Sequence, residues 1–262
     1  MKFSMPQLWF SKLLRAVTEF QMIDDDDTIL IGVSGGKDSL FLSYAMAMLR
    51  ERLKKDFALR AITIDSMFRE APLDTDRIAG YMKDLDIPYE VQKVDIAGAI
   101  DADTKHSPCY TCAYFRRGAV NRYAVEHGCQ KVAYAHHNDD AVETLFMGLL
   151  WSGQISTFTP KTYLSHTGVT VIRPLIYLRE SETIEAVQYH HMKPVKNPCP
   201  NDGKTIRQDA KELLKRLGKD IPDVYAHVAS AMRKNAVHEL WPPALSRKEM
   251  QKTYFEYMYG KK

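Results

Sequence analysis

Apolar residues recur at Leu8, Trp9, Leu13, Leu14, Val17 and Phe20, the spacing of one helical face, before the chain enters Asp24-Asp25-Asp26-Asp27. That spacing predicts a helix over Leu8 to Met22 that stops at an acidic turn. Consecutive carboxylates point apart on any regular backbone, so the Asp run reads as a solvated loop rather than a metal site. From Thr28 the pattern changes. Ile29-Leu30-Ile31-Gly32-Val33 is a continuous apolar run, which fits a strand buried on both faces. Further strand-like runs at Ala58–Ile64, Tyr89–Val94, Lys131–Ala135 and Val169–Ile172 alternate with helical stretches at Leu40–Lys54, Leu73–Leu85, Phe115–Glu126 and Asp139–Leu150. The alternation predicts an α/β fold, a doubly wound parallel sheet with helices on both faces. Beyond Pro174, the stretches Glu180–His191, Thr205–Leu217 and Pro222–Ala236 read as helices, and Asn197-Pro198-Cys199-Pro200 breaks the first from the second. The expected organisation is an N-terminal helix and acidic turn over 1–27, the sheet domain over 28–178, and a C-terminal helical appendage over 179–262 packed on it.

A chain of 262 residues, 45% hydrophobic and 26% charged, suits one large α/β domain with a small appendage. No window approaches the roughly 18 consecutive apolar residues of a membrane span, and Met1 to Arg15 lack the order of a signal peptide. The expectation is a cytoplasmic protein with no membrane contact. A net charge of +3 is too small to demand a polyanionic partner, so local clusters such as Arg116-Arg117 and Lys261-Lys262 matter more than the total. Four cysteines, two of them as Cys109-x-x-Cys112, do not resemble the disulfide framework of a small secreted domain and point to metal or redox chemistry.

Ser34-Gly35-Gly36-Lys37-Asp38-Ser39 follows a predicted strand and opens a predicted helix, where exposed amides and the helix N-terminus face a ligand together. The glycines let the backbone approach a phosphate, Lys37 neutralises charge, and Ser34 and Ser39 donate hydrogen bonds. The loop is neither a Walker A sequence nor a GxGxxG fingerprint. Asp38, beside the phosphates, suits magnesium. Cys109 and Cys112 lie within reach of one metal, and the arginines after them favour thiolates. Cys199, fixed between two prolines, is a third candidate, whereas Cys129 at a helix end reads as a small core residue. Three thiolates suit a 4Fe-4S cluster with one open iron better than a structural zinc, which would want a fourth ligand such as His106 or His191. Directly after a predicted strand stands His136-His137-Asn138-Asp139-Asp140-Ala141-Val142-Glu143-Thr144, at the sheet end where doubly wound folds bind ligands. Asp139 or Asp140 would cap the next helix, yet paired histidines and aspartates exceed what a cap requires.

The hexapeptide loop resembles the PP-loop of the ATP pyrophosphatase superfamily, whose members adenylylate a substrate and release pyrophosphate. The ordered set of SGGKDS, CxxC before Arg116-Arg117-Gly118, HHNDDAVET, Ile172-Arg173-Pro174-Leu175 and the cysteine of Asn197-Pro198-Cys199-Pro200 resembles the tRNA 2-thiocytidine synthetase family, relatives of tRNA lysidine synthetase. The match spans about Ile29 to Ala236. The resemblance implies ATP and magnesium, with Ser34, Gly35, Gly36, Lys37, Asp38, Ser39 and His136 at the nucleotide and Lys37, Asp38 and Asp140 in the chemistry. It implies a 4Fe-4S cluster on Cys109, Cys112 and Cys199, adenylylation of a tRNA pyrimidine (cytidine 32), and replacement of its exocyclic oxygen by sulfur. It further implies a homodimer and a sulfur donor such as a cysteine desulfurase or free sulfide. Where the family commonly reads Pro-Cys-Asn-Leu-Cys, this chain has Pro198-Cys199-Pro200-Asn201-Asp202, one cysteine fewer, and it lacks the extra CxxC pairs of zinc-fingered thiouridine relatives. The target should be an unpaired loop base; Tyr110 is the best placed residue to stack on it, with Tyr114 also near and Phe115 read as packing. Arg116 and Arg117 read equally as grips on tRNA phosphates and as solvated charges. Two competing readings are an adenylylating ligase without a cluster and a nonenzymatic nucleotide sensor.

Overall fold

A computed structural model of the chain describes residues 3–68, 72–196, 198–201, 203–233 and 246–252. Asp202, the place of the absent cysteine, and most of the tail from Trp241 lie outside the described residues. Two compact units divide the chain, residues 1–225 and 226–262. In the second, the described helical turn at 246–250 is capped reciprocally: Ser246 N donates to Glu249 Oε2 at 2.8 Å and Glu249 N to Ser246 Oγ at 3.3 Å.

The first unit is built on six strands: β1 (Asp27–Gly32), β2 (Phe57–Asp65), β3 (Tyr89–Lys93), β4 (Lys131–Ala133), β5 (Lys161–Leu164) and β6 (Val169–Ile172). Their order in the sheet is β3-β2-β1-β4-β6-β5. All neighbours run parallel except β5, which joins β6 antiparallel at the edge. The order reverses at β1, which has β2 on one side and β4 on the other, so the crevice for a ligand opens at the carboxyl ends of β1 and β4. Its helices are α1 (Gln7–Glu19), α2 (Lys37–Arg52), α3 (Thr75–Asp84), α4 (Ile96–Ala102), α5 (Pro108–Glu126), α6 (Asn138–Trp151), α7 (Glu180–Tyr189) and α8 (Ile206–Asp220); α9 (Val224–Ala231) begins in it and belongs from Ala226 to the second unit.

The sequence of α2 is apolar on every side, and every residue from Ser39 to Leu49 is buried. Such a helix must be enclosed, and it lies between the strands of β1 and β2 and helix α7. Helix α5 belongs to the opposite layer. Its Ala119, Val120, Tyr123 and Ala124 form one apolar cluster with Ile96 of α4 and with Leu30, Ile62, Val132 and Val169 of the sheet. Cys129 is in that cluster, 4% exposed, as a core cysteine should be. Two layers of helix thus fix both faces of β1, and the loop leaving β1 is held between them.

Four departures from the expected pattern have physical causes. Helix α5 starts at Pro108, seven residues before the predicted start, because Ser107 accepts from Tyr110 N at 3.3 Å and proline occupies the first turn. Helix α4 carries one buried residue, Ile96, and an internal glycine, too little signal to mark a helix. Strand β5 is an edge strand with no buried residue, so it shows no apolar run. The acidic run is not simply a solvated loop: Lys131 Nζ, almost wholly buried, pairs with Asp24 Oδ2 and Asp27 Oδ2 at 2.6 Å each and ties the start of β1 to β4. A buried ammonium is tolerated only with such partners. Helices α7 and α8 lie in the same unit as the sheet.

Candidate active site

The loop from β1 to α2 is shaped by its small residues. Gly35 has φ +79°, and a Cβ there would stand 2.8 Å from Ile78 Cδ1 and 3.1 Å from Val195 Cβ, so the position requires glycine twice over. Its carbonyl accepts from Val195 N at 2.8 Å, which fixes the turn. Ser34 N donates to Ser39 Oγ at 3.2 Å, Gly36 N to Ser34 Oγ at 3.3 Å, and Ser39 Oγ to Gly36 O at 2.9 Å. Gly36 is the N-cap of α2, and it makes no side-chain cap bond because it has no side chain. The first amides of α2 therefore keep donors for an anion, reinforced by the helix dipole.

This loop forms one wall of a cavity of about 440 Å³ at the strand ends, lined by Ser34, Gly36, Asp38 and Ser39, by Asp65 and Ser66 after β2, and by Tyr134, His136 and Asp140 after β4. Arg116 of α5 and Pro198 line it as well. Arg116 Nη2 donates to Ser66 Oγ at 3.0 Å, which aims the guanidinium across the cavity mouth.

Lys37 does not line the cavity; its Nζ pairs with Asp38 Oδ2 at 2.8 Å and with Glu180 Oε1 of α7 at 3.1 Å. Burial works against its ammonium, but Asp38 and Glu180 outweigh it and hold the pKa above the usual lysine value. Burial likewise opposes the Glu180 carboxylate, and Lys211, at 2.5 Å, together with Lys37 brings it down to about 2. The second oxygen of Asp38 accepts from Thr183 Oγ1 at 2.7 Å. The loop lysine is thus parked on carboxylates supplied by the loop itself and by α7.

The two aspartates of the histidine segment divide their work. Asp139 is buried and accepts from Arg179 Nε at 2.9 Å, Arg179 Nη2 at 3.0 Å and Glu180 N at 2.9 Å, so it anchors the start of α7. Arg179 also lies over the Tyr225 ring at 4.0 Å. Asp140 Oδ2 accepts from His137 N at 2.9 Å while Asp140 N donates to His137 Nδ1 at 3.4 Å, a reciprocal cap of α6 that leaves Asp140 on the cavity wall. His136 also lines the cavity. Its Nδ1 is buried without a hydrogen-bond partner among the described residues, and Phe158 packs at 4.9 Å. Burial, opposed by Asp140, holds its pKa down to about 4, so the ring is neutral near pH 7. Tyr134 Oη, on the same wall, is likewise buried without a hydrogen-bond partner among the described residues.

Cys109 and Cys112 occupy the first turns of α5, three residues apart and therefore on one face. Burial raises the pKa of the Cys112 thiol, Arg116 opposes that, and the charges of Cys199 and Cys109 add to it. The three cysteines are thus electrostatic neighbours, although Cys199 is far away in sequence. Among the described residues, no group of three or more His, Cys, Asp or Glu side chains stands close enough to hold one metal ion.

A model of the PP-loop domain matches residues 10–215 of the chain. The tRNA-cytidine(32) 2-sulfurtransferase of Geobacter metallireducens is 35% identical over 222 residues, covering 83% of this chain and 86% of that protein. The chain belongs to this PP-loop sulfurtransferase family. The protein of the same name from Pelobacter propionicus is 34% identical over 241 residues, covering 90% of this sulfurtransferase and 87% of its own length. Among solved structures, the U34-tRNA thiolase NcsA from Methanococcus maripaludis with its 4Fe-4S cluster has a TM-score of 0.70 at 22% identity, covering 84% of this chain and 76% of that one. The NH3-dependent NAD synthetase from Campylobacter jejuni has a TM-score of 0.51 at 16% identity, covering 93% and 100%. These two likenesses concern the fold.

Of the residues expected at the sulfurtransferase site, Ser34, Gly36, Asp38, Ser39, His136 and Asp140 surround one cavity, Gly35 shapes the loop behind it, and Lys37 is turned to α7. Sequence reasoning missed Asp65, Ser66, Tyr134, Glu180 and Thr183. Asp65-Ser66 ends a strand-like run, a signal that was available. Glu180 and Thr183 open a helix on the far side of α2, and nothing in their spacing marks them. No helix among the described residues is long and apolar enough to cross a membrane.

Proposed function

We propose that this sulfurtransferase activates a tRNA pyrimidine, cytidine 32, with ATP and magnesium and exchanges its exocyclic oxygen for sulfur, using a 4Fe-4S cluster held by Cys109, Cys112 and Cys199. One observation carries the reading: Pro198, next to Cys199, and Arg116, one turn after Cys112, line the same cavity as Ser34, Gly36, Asp38 and Ser39. An adenylylating loop and a cysteine cluster serving one substrate atom need that adjacency.

ATP phosphates occupy the α2 N-terminus, and Lys37 exchanges Glu180 for phosphate oxygens. Asp38 and Asp140, both on the cavity wall, are the carboxylates that would hold magnesium, which would offset phosphate charge when bound. The pyrimidine carbonyl oxygen attacks the α-phosphorus, pyrophosphate leaves, and Lys37 offsets the developing charge. Hydrosulfide from the sulfur donor then adds through sulfur to the activated carbon, the carbon–oxygen bond breaks, AMP departs with the base's oxygen, and the sulfur's proton is lost to leave the thiocarbonyl. Neutral His136, with an open Nδ1, offers the bound substrate a hydrogen bond. A cluster on three thiolates supplies, when bound, an iron open to a further ligand.

Anaerobic purification followed by iron analysis and an absorption scan tests the reading. It predicts iron and a broad band near about 400 nm, both lost in Cys199→Ala. A colourless, iron-free protein that still releases pyrophosphate on a nucleic acid would point to an adenylylating ligase instead.

A further inference from the structure

Helix α5 presents a column of rings to solvent beside the thiols. Tyr110 and Tyr114, four residues apart on one helix face, are 51% and 61% exposed. Their rings are nearly parallel, 13° apart with centroids 6.5 Å from one another. His106 extends the column below, its ring 4.7 Å from Tyr110 at 21°. Phe115, also exposed, abuts Tyr114 edge-on at 5.6 Å. The column is held in place before any partner arrives. Asp103 Oδ2 stands 3.1 Å from His106 Nδ1 and accepts from Thr111 Oγ1 at 2.6 Å, so its carboxylate is already engaged. Helix α5 carries Arg116, Arg117 and Arg122 and a single carboxylate, Glu126, at its last position. Arg117 and Arg122 are exposed, and so is Lys105 just before the helix.

Exposed parallel rings are an unfavourable surface for a monomer unless something covers them. Flat faces at helical spacing among arginines match unpaired nucleic acid, in which bases stack on aromatic rings and cations follow the phosphates. The exposed residues beside the column include one further ring, Phe115, and the cations Lys105, Arg117 and Arg122, whose charge complements a phosphate backbone.

We propose that the His106–Tyr110–Tyr114 column is a stacking platform for unpaired RNA bases flanking the nucleotide that enters the cavity, with Arg117 and Lys105 on the phosphates. This deepens the proposed tRNA activity and rests on it only for the identity of the RNA. Because Tyr110 lies between Cys109 and Cys112, the platform delivers the loop to the thiol side of the cavity.

Fluorescence anisotropy of the full chain with a labelled RNA stem-loop, and with a fully paired duplex of equal length, tests this. Tyr114→Ala should weaken stem-loop binding about tenfold, leave duplex binding unchanged, and leave the melting temperature unchanged. Tyr114→Phe, which keeps the ring, should bind as the parent does. Unchanged stem-loop binding by Tyr114→Ala overturns the platform, and a shift of that variant to a smaller species in sedimentation would assign the rings to a protein interface. An equal loss on duplex and stem-loop overturns it as well. The proposed chemistry fails separately: a chain that thiolates no tRNA yet loses stem-loop binding in Tyr114→Ala keeps the platform and loses the activity.

Discussion

Asp139 and Asp140 are adjacent in sequence and alike in chemistry, yet the structure assigns them opposite consequences on mutation. Asp139 is buried and accepts three hydrogen bonds, two of them from the Arg179 guanidinium. Each hydrogen bond involving a charged group contributes roughly 1.5–3 kcal/mol, but the Arg179 side chain is 38% exposed and water recovers part of its loss. Asp139→Ala should therefore cost about 3 kcal/mol, which lowers the Tm by roughly 6–12 °C in a chain of this size. Asp140→Ala removes one half of a reciprocal cap on a side chain partly open to the cavity, and should cost about 1 kcal/mol. Activity should show the reverse order. Asp140→Ala should lose pyrophosphate release, whereas Asp139→Ala should retain a measurable fraction of it at temperatures where the variant is folded. Urea unfolding followed by tryptophan fluorescence gives the first quantity, with the slope expected to be unchanged. The reasoning is refuted if Asp140→Ala is the more destabilised variant, or if it releases pyrophosphate at the parent rate.

Three further outcomes follow from particular contacts. Gly35→Ala should be destabilised by about 1–3 kcal/mol through its positive φ and the close approach of Ile78, and should lose ATP binding in calorimetry; retention of both would contradict the loop geometry. Lys131→Met leaves the buried Asp27 carboxylate uncompensated and should cost about 3 kcal/mol, while adding Asp27→Asn should recover part of that loss in a double-mutant cycle. His136 has a folded pKa near 4, below the unfolded value, so the unfolded chain binds the extra proton between those values. Its contribution is therefore complete above pH 6.5 and lost as pH falls towards 4, at most about 3 kcal/mol. Denaturation midpoints measured from pH 7 to 4.5 should fall less steeply in His136→Asn than in the parent, and parallel slopes would sink the assignment.

The strands β1, β2, β4 and β6 were readable because burial writes apolar runs into them, edge strand β3 was readable from its place in the alternation and its Tyr89 and Val91 although it buries no residue, and the nucleotide loop was readable because its glycines and its place between strand and helix announce an anion site. Strand β5 and helix α4 were not, since neither buries enough side chains to leave a period. The start of α5 was carried by Ser107-Pro108, a cap and first-turn pair without an apolar stripe, and it moved Cys109 and Cys112 from a loop onto a helix. That move puts Cys109 and Cys112 on the same helix as Arg116, which lines the cavity. The parking of Lys37 on Glu180 was beyond reach, because it depends on how α7 packs against α2 and not on any local pattern. Likewise, Asp139 and Asp140 could be separated only once Arg179 was in place.

The central claim, that one cavity joins an adenylylating loop to a thiol cluster for tRNA thiolation, is tested most directly by mass spectrometry of nucleosides from tRNA of cells with and without the protein. The account predicts 2-thiocytidine in the first and its absence in the second, with the nucleoside restored by the parent gene and not by Lys37→Ala or Cys112→Ala. An unchanged thionucleoside profile in the cells lacking the protein, or restoration by Cys112→Ala, would contradict it.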